Sequence, residues 1–71
     1  MPKLPVLSGS DIVRLLERAG FEQARQRGSH VVMRRAERGC VVPLHRKVKS
    51  GTLAGILRQA GMSIEELIKI Q

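Results

Sequence analysis

An α+β fold, with three antiparallel strands in a meander and helices covering one side of the sheet, is what this chain of 71 residues predicts. Three observations carry that expectation. Residues 12–19 and 53–60 each repeat apolar side chains at i, i+3, i+4 and i+7, the period of an amphipathic helix. Between them lie three short β-type runs punctuated by turn residues. Strands that follow one another with such short turns pair antiparallel, because a parallel connection needs a long crossover. The predicted order is α-β-β-β-α-α in a single domain over residues 1–71, too short for a second core.

The first helix rests on Ile12, Leu15, Leu16 and Ala19, with Arg14, Glu17 and Arg18 on the opposite side. Ser8 is placed to cap it, Asp11 follows three residues later as in a capping box, and Gly20 supplies a left-handed stop. From Phe21 to Arg27 the helical period is lost, and Gly28-Ser29 signals a turn before Val31, Val32 and Met33. Ala36 to Gly39 reads as the next turn. Cys40 to Leu44 is the third run, with Pro43 marking an edge strand or a strand end because it cannot donate to a ladder. After a polar connector, Ser50 is expected to cap a second helix built on Leu53, Ile56, Leu57 and Ala60 and ended by Gly61. Gly55 inside it predicts a close packing contact, since glycine there costs about 1 kcal/mol relative to alanine. Ser63-Ile64-Glu65-Glu66 opens a short third helix with a capping box. Helices on one face leave the other face for water or a ligand, with Arg25, Arg27, His30 and the alternating basic positions of the strands as its expected occupants.

Charge narrows the partner. Between Gln23 and Arg58 nine basic residues stand against Glu37 alone, whereas the rest of the chain carries four basic and five acidic residues. Concentrated positive charge fits a polyanion, whose phosphates release counterions on binding; a merely solvated basic surface is the equally weighted alternative. The single cysteine, Cys40, excludes an intrachain disulfide or a cysteine-based zinc site and suits a reducing compartment. Met1-Pro2-Lys3-Leu4-Pro5 holds no apolar core of signal-peptide length, and no stretch reaches the ~18 apolar residues of a membrane span. A cytoplasmic protein is therefore expected.

Few side chains can do proton chemistry near neutral pH. His30 and His45 are the only imidazoles, and the chain has no Tyr or Trp. By pattern alone a lone histidine is structural roughly twice as often as catalytic, but His30 follows Gly28-Ser29 at a turn whose backbone N–H groups can approach a phosphate. A base beside cationic phosphate binders is what RNA cleavage without a metal requires: the ribose 2′-OH attacks phosphorus, a base removes its proton, cations stabilise the phosphorane, and an acid protonates the leaving oxygen. His45 is the candidate partner acid if the end of the third strand lies near the start of the second; a connector residue bonding backbone or phosphate is the competing role. Ser29 reads as a turn residue or phosphate hydrogen-bond donor before a nucleophile, and Cys40 and Phe21 read as core. A two-metal nuclease needs clustered carboxylates, which the basic centre lacks, so no cofactor is expected. With Phe21 as the only aromatic, recognition would rest on charge, shape and 2′-OH contacts.

Ser8-Gly9, the segment Leu15 to Phe21, Gly28-Ser29-His30, Val42-Pro43-Leu44-His45 and the run Gly51-Thr52-Leu53 through Gln59-Ala60-Gly61-Met62-Ser63 together resemble the HicA family of toxins from prokaryotic toxin–antitoxin modules, over Leu7 to Leu67. The resemblance implies a fold like a double-stranded RNA-binding domain, an mRNA-cleaving activity that inhibits translation, and a HicB-family antitoxin that covers the active surface. It maps the family's catalytic histidine onto His30. Arg25, Arg27, Ser29, Arg34, His45 and Lys49 are the expected RNA-binding residues, metal ligands are none, and the toxin alone is expected to be a monomer. Where relatives carry Lys or aromatic residues around the second strand, this chain has Val31, Val32 and Arg34, so RNA preference does not transfer. A non-catalytic double-stranded RNA-binding module and a pure protein-interaction subunit are the alternatives.

Overall fold

A computed structural model describes residues 6–71; the segment Met1 to Pro5, read above for a leader, lies outside the described residues. The element order is α1 (Gly9–Arg18), β1 (Glu22–Arg27), β2 (His30–Arg35), β3 (Arg38–Pro43), α2 (Ser50–Ala60) and α3 (Ile64–Lys69). The strands form one antiparallel sheet in the order β1-β2-β3. This is the α+β meander that the sequence predicts.

Local chemistry accounts for most boundaries. The Ser8 hydroxyl accepts from the Asp11 backbone N–H at 3.1 Å while the Ser8 N–H donates to the Asp11 carboxylate at 3.3 Å, closing the expected capping box. At the other end of α1, Gly20 takes φ +97°, and the N–H groups of Gly20 and Phe21 donate to the carbonyls of Glu17 and Leu16. That is a Schellman closure, and it turns Phe21 into the core. α2 ends the same way through Gly61 at φ +72°, and α3 opens on the Ser63–Glu66 capping box.

Three expectations need correction. Ser50 does not cap α2: Lys49 holds the extended cap position without a side-chain bond, and Ser50 is already the first helical residue. The turn between β2 and β3 is Ala36-Glu37 alone, because Ala36 adopts φ +53° and reverses the chain in two residues, leaving Arg38 and Gly39 in β3. Gly55 makes no close packing contact; a Cβ built there meets nothing within 4 Å.

The core lies between the sheet and the helices. Ile12, Leu16, Met33, Val42, Leu53 and Leu67 are wholly buried, and Val31, Cys40 and Phe21 are nearly so. Each such side chain contributes about 1.5–3 kcal/mol relative to exposure. No buried side-chain polar atom among the described residues lacks a partner. Arg35 closes the margin of this core: its guanidinium lies 4.8 Å from the Phe21 ring centroid and donates to the Ala19 carbonyl at 2.7 Å. The two sheet edges differ. On β3 the Val41 N–H donates to the Gln59 side chain of α2 at 3.4 Å, and Pro43 ends the strand. β1 is exposed throughout and carries a bulge at Ala24, between Gln23 and Arg25, a device that discourages further strand pairing.

Candidate nucleic-acid interface

Antiparallel register determines what shares the open face. Directly opposed residues point to the same side of a sheet. Arg27 opposes His30, which opposes Pro43; Arg25 opposes Val32, which opposes Val41; Glu22 opposes Arg34, which opposes Gly39. The alternate positions of β2 and β3, Val31, Met33, Cys40 and Val42, are the buried ones. The three rows therefore lie on the side away from the helices, and Arg25, Arg27, His30 and Arg34 share that face, as the sequence suggests.

His30 owes its position to the Gly28-Ser29 turn. Gly28 takes φ +55°, a conformation open to glycine without strain, so the chain reverses in two residues and Arg27 and His30 become cross-strand neighbours. The Gln26 side chain steadies the turn by donating to the Gly28 carbonyl at 3.1 Å. The Ser29 carbonyl accepts the Leu44 N–H at 2.6 Å, which binds the turn to the segment after β3. His45 follows immediately. Its carbonyl accepts the Gly9 N–H at 2.8 Å, so its backbone holds the start of α1 while its side chain stays exposed. The end of β3 thus does lie beside the start of β2, which was the condition for His45 to act with His30, and His45 has a connector role as well.

Gly9 makes this junction possible. A Cβ at that position would collide with the Pro43 carbonyl and sit 2.6 Å from the Leu44 Cα. Ser8-Gly9, Gly28-Ser29-His30 and Pro43-Leu44-His45, separate in sequence, therefore meet at one end of the sheet. Lys49 belongs elsewhere: it is exposed at the N-cap of α2, outside the strands.

Sequence reasoning missed three neighbours of His30 and Arg34. Val32 is half-buried and Val41 is 43% exposed, and they form an apolar pair between the Arg27–His30 row and the Glu22–Arg34 row. Gly39 lies under the Arg34 side chain, whose Cγ and Nε are 3.8 and 3.9 Å from where a Gly39 Cβ would stand, ordinary contact distance. The two-residue turn at Gly28-Ser29 was the available signal for the register; the bulge at Ala24 had none.

Cys40 is buried on the helix side, and burial pushes its thiol up to about 11, so it is protonated at neutral pH and a poor nucleophile. Among the described residues no three His, Cys, Asp or Glu side chains gather into a metal-binding group, and no helix is long and apolar enough to cross a membrane.

No curated protein matches the sequence. A family model described as HicA toxin of bacterial toxin–antitoxin matches residues 9–62 of the 71, a span that runs from Gly9 through the site to the close of α2. The chain therefore belongs to the HicA toxin family, a membership that implies a cognate antitoxin.

Proposed function

We propose that this toxin is an endoribonuclease that cleaves mRNA in the cytoplasm and inhibits translation, using His30 as general base or acid without a metal. The observation that carries the reading is the row in which Arg27 directly opposes His30, with Arg25 and Arg34 on the same face. The guanidiniums bind the phosphodiester and stabilise charge developing on its oxygens. Ser29 orients the turn, and Lys49 extends phosphate binding from the start of α2.

An imidazole suits the proton steps because it exchanges protons near neutral pH. His30 takes the proton of the ribose 2′-OH, the 2′ oxygen bonds to phosphorus, and the P–O5′ bond breaks. The departing 5′ oxygen receives a proton from His45, from His30 after it has been protonated, or from water. The products are a 2′,3′-cyclic phosphate and a 5′-hydroxyl. General acid–base help of this kind contributes about 10² to 10⁴ in rate, and slow turnover suffices for a toxin that acts on messages.

A HicB-family antitoxin would inhibit by covering the same face. An acidic partner both neutralises the central positive charge and excludes RNA, and the free toxin is expected to be a monomer.

His30→Ala tests the reading. Cleavage and growth arrest should fall by about 10²-fold or more, while RNA binding, carried by the arginines, persists. Undiminished cleavage by this variant would move the chemistry elsewhere, and binding without cleavage by the unaltered chain would leave an RNA-binding module. Activity lost in EDTA and restored by magnesium would overturn the metal-free mechanism.

A further inference from the structure

We infer that the Val32–Val41 pair is a seat for an unpaired nucleobase, so the RNA taken by this face is single-stranded where it is held. The inference rests on the RNA-cleaving reading above and specifies its substrate. Val32 and Val41 are opposed on β2 and β3, one row from His30. Successive same-face rows lie about 6.7 Å apart, two residues of strand rise. That is on the order of the offset between a backbone phosphate and the base of its own nucleotide. A phosphate held at the Arg27–His30 row therefore places a neighbouring base over the valines.

The surroundings fit a flat, apolar ring. Val41 is 43% exposed although it is aliphatic and central in its strand, and β3 is the last strand of the sheet, bordered at this point by the Gln59 side chain of α2 on the Val41 N–H. Arg25 flanks the pair from β1 and Arg34 from the next row, where it opposes Glu22. The Arg34 side chain lies along Gly39, its Cγ and Nε 3.8 and 3.9 Å from the place a Cβ would take, which is ordinary contact distance. A base on the valines would thus be bordered by two guanidiniums, which supply planar contacts on a face that has no aromatic side chain, since the chain's one aromatic, Phe21, is buried in the core. Duplex RNA cannot use this seat, because its bases face inward and it presents phosphates and 2′-hydroxyls instead.

The test uses the full chain bearing His30→Ala, so that no RNA is cut, and measures fluorescence anisotropy with three labelled probes of equal length. These are a single-stranded oligoribonucleotide, the same ribose-phosphate backbone without bases, and a duplex. The single strand should bind about tenfold more tightly than either of the others. Val41→Ser should erase that ratio without changing affinity for the base-free backbone, and Val41→Phe should strengthen single-strand binding about fivefold through stacking. Equal affinity for the base-bearing and base-free strands, or tighter binding of the duplex, overturns the seat while leaving RNA binding intact. No binding of any probe overturns the RNA reading and the seat together.

Discussion

The two faces of the sheet are made from alternate residues of the same strands and have opposite characters. Toward the helices stand Val31, Met33, Cys40 and Val42, none more than 2% exposed. Away from them stand Arg25, Arg27, His30 and Arg34, all exposed, around the valine pair. The difference teaches where each property resides. Burial on the helix side holds the fold together, and charges left in water on the other side cost little, so that face is free to carry binding and chemistry. Substitutions on the two faces should separate stability from activity.

The largest effect on stability belongs to the covered face. Met33→Ala, at a position with no exposure, should destabilise by about 2–5 kcal/mol in urea unfolding, a large share of what a domain this small possesses. His30→Ala on the opposite face should change unfolding by less than about 0.5 kcal/mol while cleavage collapses. If the two variants exchanged these outcomes, the separation would be wrong.

Gly9→Ala is the substitution that ought to break the separation. Its Cβ would push against the Pro43 carbonyl and Leu44, the segment that joins the α1 start to the His30 turn. A loss of about 1–3 kcal/mol is expected, together with reduced cleavage, because the displaced segment carries His45 and bonds Ser29. A smaller effect of opposite sign is expected at Gly55, where a methyl group meets open space: Gly55→Ala should stabilise by about 1 kcal/mol with cleavage unchanged.

The smallest effect is electrostatic. Hydrogen bonds from the Ser8 hydroxyl and backbone, then from Arg14, hold the Asp11 carboxyl below its ordinary value. A carboxyl with a depressed folded pKa stabilises above its unfolded pKa, about 3.9, and loses that contribution as the pH falls through the folded value. Asp11→Asn should therefore lower stability slightly at neutral pH, where the contribution is present, and converge with the unaltered chain below about pH 4, flattening the acid limb of a stability–pH curve; an unchanged limb would show that this cap has no part in acid unfolding.

Periodicity and punctuation made most of the fold legible. Ile12, Leu15 and Leu16, the glycine stops and the serine capping boxes are local signals, and local signals need no knowledge of the partner strand. The residue types of the proposed site are visible in the sequence, since His30 follows a two-residue turn and basic residues crowd the strands. What could not be read depends on contacts between distant segments. The closeness of Gly9 to Pro43, the contact of Arg34 with Gly39 and the bulge at Ala24 are all of that kind. Ser50 misled because serine favours a cap, yet the chain already turns helical there, with Lys49 at the cap.

The central claim is that the open face cleaves RNA through its own 2′-hydroxyl at His30. Its most direct test is the chemistry of the ends left when the purified chain cuts RNA in the presence of EDTA. A 2′,3′-cyclic phosphate with a 5′-hydroxyl on the other fragment is the result expected. Fragments ending in a 3′-hydroxyl and a 5′-phosphate would show that water was the nucleophile and would contradict the account.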